Sequence, residues 1–340
     1  MVSIKDIAKE CNVSVATVSK ALNDHDDISE STKEKVRKAA IKLGYTTNAA
    51  ARALKTRKTY NLGILFVDDR AGLGHEYFSM ILDSFQREAE KHGYDITFIN
   101  HAIAGKQTTY LKHVEYRNLD GVAIMTADFE DPEIKELAES EYPVVIVDYV
   151  MDNCAAVLSD NSRGLEAIVR YAYEMGHRRI AFIYGDDTSV TRERLSSFLS
   201  TCRQLGIEVD ENYVIAGRYH DIKMCAEKTA QLLDLPDPPT LIIFPDDYSY
   251  IGGMEIISSR GLSIPDDISA IGYDGINMAK IMNLTTYEQN TKELGQLAVR
   301  KLLQLINEPD LPPERVLVSG KMFYGKTVKN LNQGNGKGDK

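Results

Sequence analysis

From residue 61 onward, short unbroken apolar runs alternate with helical patterns, and this alternation limits the fold more than any other feature of the chain. LGILFV (62–67), YDITFIN (94–100), DGVAIM (120–125) and PVVIVDY (143–149) read as strands. The most continuous of these runs are apolar on both faces, as in a parallel sheet covered by helices. Helical periodicity fills the gaps at 78–92, 107–117 and PEIKELAE, with Phe78, Ile81, Leu82, Phe85 and Ala89 inward in the first. A second series follows. Helix 161–176 stops at Gly176, RRIAFIYG (178–185) is a strand, and helix 190–206 stops at Gly206. YVIAG (213–217), helix 221–234, TLIIFP (240–245), helix 248–260, ISAIGYD (268–274) and a last helix at 291–307 complete it, before VLVSGKMFYG. Two series of one topology predict two doubly wound α/β lobes with a ligand cleft at the strand carboxyl ends.

The first 45 residues follow a different pattern. Ser3 and Asp6 fit a capping box, and Ile4, Ile7, Ala8 and Cys11 share one helical face. Asn12 suits the left-handed residue of a tight turn, and Val13 can plug the corner. Ser14 can cap a second helix with Val18, Ala21 and Leu22 inward and Val15, Ala16, Thr17, Ser19 and Lys20 outward. Two short helices around a tight turn, the second small and polar outside, form a helix-turn-helix pattern, although an ordinary helical hairpin has the same periodicity. Ser29 can cap a third helix to about Leu43, with Val36, Ala39, Ala40 and Leu43 inward and Gly44 as its stop. Lys33, Lys35, Arg37, Lys38 and Lys42 read mostly as a solvated face, and Tyr45 can reach a phosphate. Residues 47–59 are alanine-rich and basic, a helix of about two turns that is marginal alone in water. Leu54 is their one large apolar residue, of the type that wedges between base steps, while a plain linker is the simpler alternative.

Charge follows the same division. The 340-residue chain carries a net −10, yet residues 1–60 carry +5 and the remainder −15. A basic head on an acidic body is compatible with phosphate binding, which is local. At 43% hydrophobic and 26% charged, the chain has ample material for a soluble core of two or three domains. No apolar run reaches the ~18–20 residues of a membrane helix, and no secretory segment opens the sequence. Cys11, Cys154, Cys202 and Cys225 lack metal-site spacing and read as buried thiols of a cytoplasmic protein. No metal or cofactor is expected.

Three motifs in order, IKDIAKECNVSVATVSKALN, ISESTKEKVRKAAIKLGY and NAAARALKTRKT, resemble the DNA-binding head and hinge of the LacI/GalR family of bacterial transcription regulators. GHRRIAFIYG, RLSSF, FPDDYSYIGGMEIISSRGLSIPDDISAIGYD and LTTYEQNTKELGQLAVRKLL extend the resemblance over residues 2–325. The resemblance implies a second helix in the major groove, with Val15, Ala16 and Lys20 at base-reading positions. Ser14, Thr17, Ser19 and Asn23 match phosphate or supporting positions, and Tyr45 joins the expected DNA contacts. Hinge residues Asn48, Ala51 and Leu54 match the minor-groove segment, with Leu54 intercalating. Lys20 is the one long donor on the outward face, suited to guanine O6/N7. Thr47 stands where the family often has proline.

The implied core is similar to periplasmic sugar-binding proteins, with three crossings between lobes. The domains expected are a head at 1–46, a hinge helix and linker at 47–60, one lobe at 61–158 with 290–318, a second at 159–289 with 319–326, and a flexible tail at 327–340. By correspondence with family ligand positions, Tyr77, Phe78, Asp148, Arg194, Asp246, Asp274 and Gln289 are the expected effector contacts. Carboxylates and a guanidinium can hold hydroxyl pairs, and aromatics can cover a sugar ring. Asp246 or Asp247 can instead cap the following helix, Asp247 the more natural of the two; Asp274 can close a turn at Gly275, and Arg194 can serve as an ion pair. Asp246 replaces a common asparagine, and Ser197 a usual glycine.

The expectation is therefore a repressor, not an enzyme, that binds a pseudo-palindromic double-stranded DNA operator as a homodimer and answers to a small sugar in the cleft. A core that answers to a phosphocarrier-type partner protein is the alternative, and a carbohydrate-acting enzyme using Asp246 with Asp274 a distant third. The Gly/Asn/Lys-rich tail has no leucine heptad, so a dimer without a tetramer-forming helix is expected.

Overall fold

A computed structural model describes residues 2–45, 58–67 and 72–332. The chain divides into two compact units, Met1–Thr59 and Tyr60–Lys340. The hinge positions Thr47, Asn48, Ala51 and Leu54 and the tail from 333 lie outside the described residues.

In the first unit α1 (Ile4–Cys11), α2 (Val15–Leu22) and α3 (Glu30–Leu43) enclose a small core of Ile7, Ala8, Cys11, Val18, Ala21, Val36, Ala39 and Ala40. The local signals work as the residues dictate. The Ser3 amide donates to the Asp6 carboxylate at 2.8 Å, Asn12 takes φ 50°, and the Ser14 hydroxyl accepts from the Thr17 amide at 3.0 Å. One expectation fails. Lys33 is buried rather than solvated, because its ammonium turns back to Glu30 at 2.7 Å and Asp24 at 3.3 Å.

The second unit begins β1 (Asn61–Phe66), α4 (Glu76–Lys91), β2 (Asp95–Phe98), a short hairpin of β3 (Ala102–Ile103) and β4 (Lys106–Gln107), then α5 (Tyr110–Arg117), β5 (Gly121–Thr126), α6 (Pro132–Ala138), β6 (Val144–Val147) and β7 (Ala155–Ser159). It continues with α7 (Asn161–Glu174), β8 (Ile180–Tyr184), α8 (Ser189–Gln204), β9 (Val214–Ala216), α9 (Ile222–Leu233), β10 (Leu241–Ile243), α10 (Tyr250–Ser259), β11 (Ser269–Asp274), α11 (Asn277–Ile281) and β12 (Thr285–Glu288). It ends with α12 (Thr291–Asn307), β13 (Arg315–Val318) and β14 (Lys321–Phe323). One sheet is ordered β13-β7-β6-β5-β1-β2 and the other β14-β12-β11-β10-β8-β9, parallel apart from the β12–β14 pair. The chain passes from sheet to sheet after Ser159, Glu288 and Val318. Helix α12 packs back on α4 and the first sheet, where Arg300 meets Glu88 at 2.8 Å and the Ser84 hydroxyl donates to the Lys292 carbonyl at 2.6 Å. Fully buried strand residues such as Leu62, Ile64, Ala123, Val145, Ile183 and Ile242 explain why these runs are apolar throughout.

Residues 327–332 of the expected flexible tail are instead bound to the second lobe, Thr327 donating to the Ala270 carbonyl at 2.7 Å and the Lys329 amide to Ser269 at 3.0 Å, and His177 fastens this segment to the second sheet. Its Nε2 lies 3.0 Å from the Lys329 carbonyl and its Nδ1 2.9 Å from the Thr240 hydroxyl. A carbonyl only accepts, so Nε2 carries the proton. Burial holds the imidazole pKa down to about 4. Between pH 6.5 and 4 the unfolded chain therefore binds a proton that the folded chain refuses. Stability rises with pH across that window, by at most about 1.4 kcal/mol per unit. The melting temperature is expected to fall from pH 7 to 4.5, and to fall less steeply in a His177→Asn variant. Parallel slopes in the two proteins would remove His177 as the cause.

Among the described residues no helix is long and apolar enough to cross a membrane. All four cysteines are buried free thiols.

Candidate functional site

On the head, α2 presents an outer face of small residues. Val15 is 42% exposed, and Ala16 and Lys20 are exposed beside it, while Val18 and Ala21 are sealed inside. Ser14 and Thr17 pair through their hydroxyls at 2.8 Å at the start of the helix, and the Asn23 amide donates to the Ser19 carbonyl at 2.6 Å at its end. Tyr45 packs half-buried against the core. Lys20 is ion-paired with Asp27. Exposed pairs of this kind are weak, so a base edge or phosphate can compete for the ammonium.

The cleft lies in the second unit, at the carboxyl ends of both sheets. Tyr77, Phe78, Asp148, Arg194, Asp246, Asp274 and Gln289 all line one cavity of about 590 Å³. Arg194 projects from α8 and is 5% exposed. Its Nε donates to Asn161 at 2.8 Å, its Nη1 to the Pro245 carbonyl at 3.2 Å, and its guanidinium lies 3.6 Å over the Tyr273 ring. Its partners among the described residues are thus a neutral amide, a carbonyl and a ring rather than a carboxylate at ion-pair distance. A planar, permanently charged donor fork held rigidly from behind suits a bidentate acceptor such as a vicinal diol.

A hydrogen-bonded chain joins the lobes along the crossovers. The Tyr77 hydroxyl donates to Asp148, which also accepts from the Ser159 amide at 2.6 Å. Tyr77 lies 3.4 Å from the Gln289 carbonyl oxygen, and the Gln289 amide donates to Asp274 at 2.7 Å. Both ends of Gln289 are thereby engaged by protein, which makes it a positioning residue. Asp148 (φ 55°) and Asp274 (φ 110°) hold backbone conformations unusual for non-glycine residues, the kind of strain that collects at binding sites. Burial pushes the Asp274 carboxyl up to about 8, with Arg194 opposing and Asp246 adding to the rise.

Of the two aspartates that could cap the following helix, Asp246 is the one that does so while also lining the cavity, and Asp247, the more natural cap in the sequence, does neither. Asp246 accepts from the Ser249 amide at 2.7 Å, its hydroxyl at 2.9 Å and the His220 amide at 2.9 Å, so Asp246 caps the turn into α10. Asp247 points away from the cavity and accepts from the Gly275 and Ile276 amides at 2.7 and 3.0 Å and from Thr286 at 2.6 Å. It thus pins the turn that carries Asp274.

The sequence reading missed several lining residues: His75 and His220, whose rings meet at 3.5 Å from opposite lobes, and Phe129 with Tyr149. All four sit on loops; the 143–149 run places Tyr149 at a strand end, but the strand stops at Val147. Of the seven carboxyl groups in the lining, Glu130, Asp186 and Asp187 are paired with Lys135, Arg218 and Arg192, which leaves Asp128, Asp148, Asp246 and the raised Asp274 facing Arg194.

A family model described as bacterial regulatory proteins, lacI family, matches residues 3–48, and one described as a periplasmic binding protein-like domain matches residues 169–328. The probable HTH-type transcriptional repressor ExuR of Bacillus subtilis (strain 168) is 31% identical over 346 residues, spanning 97% of this chain and 99% of its own. A solved lac repressor dimer bound to operator and the anti-inducer ONPF shares the fold with a TM-score of 0.78 at 24% identity, over 96% of this chain and 99% of that one. A complex of the transcriptional regulator CelR with cellobiose gives 0.70 at 23% identity, over 96% and 100%. With a transcriptional repressor matched along nearly its whole length, the chain belongs to the lacI family of bacterial regulatory proteins, DNA-binding transcription regulators rather than enzymes.

Proposed function

We propose that the protein is a repressor that binds a pseudo-palindromic operator as a homodimer and is controlled by a small uncharged carbohydrate in the cleft. The observation that carries the effector reading is the convergence on one cavity of a rigid buried guanidinium, hydrogen-bonding carboxyl groups and aromatic rings. That set matches vicinal hydroxyls and a weakly apolar ring face. CelR, with the same fold, is solved with cellobiose. Dimerisation follows from the head, since one helix-turn-helix holds one half-site. Closure of the lobes on a sugar would change the balance between operator-competent and released forms, provided the sugar binds one form more tightly than the other. The chain Tyr77–Asp148–Ser159 and Gln289–Asp274 gives the bound ligand mechanical access to the crossovers.

Selection of duplexes from a random library is expected to enrich a pseudo-palindrome. A neutral-sugar panel is expected to contain a ligand that raises the melting temperature and changes affinity for that duplex. At a ligand concentration 100 times Kd the stabilisation is about 2.7 kcal/mol. For a unit of this size that corresponds to roughly 4–5 °C. Failure to enrich any palindrome would defeat the operator assignment. A panel without a single stabilising sugar would defeat the effector assignment.

A further inference from the structure

We infer that Asp27 is a positioning residue for DNA recognition, holding Lys20 as an aimed and charge-balanced donor that suits a guanine edge and suits a phosphate poorly. This rests on the reading of α2 as the helix that meets the bases and adds a residue outside that helix. Lys20 is the one long donor on the outer face of α2, and its ammonium donates to the Asp27 carboxylate. Both side chains are about half exposed. The loop that carries Asp27 is itself fixed. Asp24 takes φ 58° and accepts from Arg37 at 2.7 Å, the His25 amide donates to the Lys20 carbonyl at 3.1 Å, and Ile28 packs on the head core. Backbone as well as side chain therefore sets the carboxylate beside the end of α2. The hydrogen bond from Lys20 also holds the Asp27 carboxyl below the usual carboxylate range, so it is charged at neutral pH.

An ammonium is a point charge on a flexible stem, and a lone lysine serves a phosphate as well as a base. Pairing with Asp27 changes that balance. One N–H goes to the carboxylate and two remain, matching the two acceptors that guanine presents at O6 and N7. A phosphate brought to the same ammonium stands against the Asp27 charge, whereas the guanine edge is neutral. The rest of the head is balanced in the same way. Residues 1–45 hold eight lysines and arginines against seven aspartates and glutamates, so most of the positive excess of residues 1–60 falls on 46–60. Lys33, Arg37, Lys38 and Lys42 are also ion-paired within the head. A head balanced in this way gains little from phosphates of any sequence, which leaves base contacts to decide.

Anisotropy of the full chain on selected and scrambled duplexes, from about 50 to 200 mM salt, tests the assignment. Lys20→Ala should remove the preference for guanine at one base pair of each half-site. Asp27→Asn removes the charge and keeps an acceptor. It should tighten binding to the scrambled duplex about 3-fold at low salt and steepen the salt dependence by about one phosphate contact, with less than about 2-fold change on the selected duplex. Asp27→Ala removes the anchor as well, and should also cut the penalty for replacing that guanine from about 10-fold or more to about 3-fold. Asp26→Asn is the control, the same change of charge in the same loop on an exposed carboxylate with no ion pair among the described residues. Circular dichroism checks that each variant is folded. An equal gain on both duplexes, or a gain in Asp26→Asn that matches Asp27→Asn, overturns the role of Asp27 and leaves α2 as the reading helix. If Lys20→Ala changes no guanine preference, the base-reading role of Lys20 falls and the role of Asp27 falls with it.

Discussion

Arg194→Ala is expected to weaken binding of any effector sugar by about 100-fold or more while leaving operator binding intact, producing a regulator that no longer responds. The size follows from what the side chain does. Truncating one partner of a buried charged hydrogen-bonded contact costs about 2–5 kcal/mol, and 2.7 kcal/mol is about 100-fold. Arg194 is anchored from behind by Asn161 and the Pro245 carbonyl and stacked on Tyr273, so its remaining N–H groups are aimed before the ligand arrives. Little rotamer freedom is lost on binding, and its energy goes into the contact. Arg194→Lys should be nearly as damaging. A lysine cannot donate to Asn161, reach Pro245, lie flat on Tyr273 and face the cleft together. The measurements are calorimetric Kd for the sugar and operator affinity by fluorescence anisotropy, both on the full chain. Wild-type sugar affinity in Arg194→Lys would show that charge alone suffices and that the anchored fork is incidental.

The parts of this site that the sequence revealed are those tied to regular structure. Arg194 is on a helix, and Asp148, Asp246 and Asp274 stand at or just beyond strand ends, so periodicity brings them to the sheet edge. Phe129, Tyr149, His75 and His220 are set by loop conformation, which periodicity does not encode. That Asp246 rather than Asp247 caps the turn into α10 has the same origin. The backbone turn after β10 decides which carboxylate faces Ser249, and two adjacent aspartates have no sequence signal to separate them. In the fold, the apolar runs announced β1, β5, β6, β8, β10 and β11. β12 escaped notice because TTYE is polar. Its Thr285 and Thr286 are nevertheless fully buried, satisfied by Gly325 and Asp247. β7, β13 and β14 are short and lie at the crossovers, where one strand serves to change sheets. Lys33 shows the limit on the head. A helical lysine usually faces water, but three-residue spacing to Glu30 and the loop carboxylate of Asp24 draw this one under the surface.

Val18→Asp is expected to abolish operator recognition while the effector-induced rise in melting temperature of the second unit survives. Val18 is 0% exposed, in a core of eight small and medium side chains. A carboxylate there has no described donor to meet it. Burying a charge unpaired costs several kcal/mol, comparable with the whole stability of a domain this small. The head should therefore unfold, with specific operator affinity dropping by more than about 100-fold toward the level of random duplex. The control lies one turn earlier on the same helix. Val15 is 42% exposed and touches little of the core, so Val15→Asn should leave the head folded and shift which duplex is preferred. Circular dichroism and anisotropy against selected and scrambled duplexes separate the two outcomes. Normal recognition by Val18→Asp, or an unchanged duplex preference in a folded Val15→Asn, would mean that α2 is not the reading helix. Loss of both operator recognition and the sugar response in Val18→Asp would instead show that the two units do not fold independently, which their separate cores argue against.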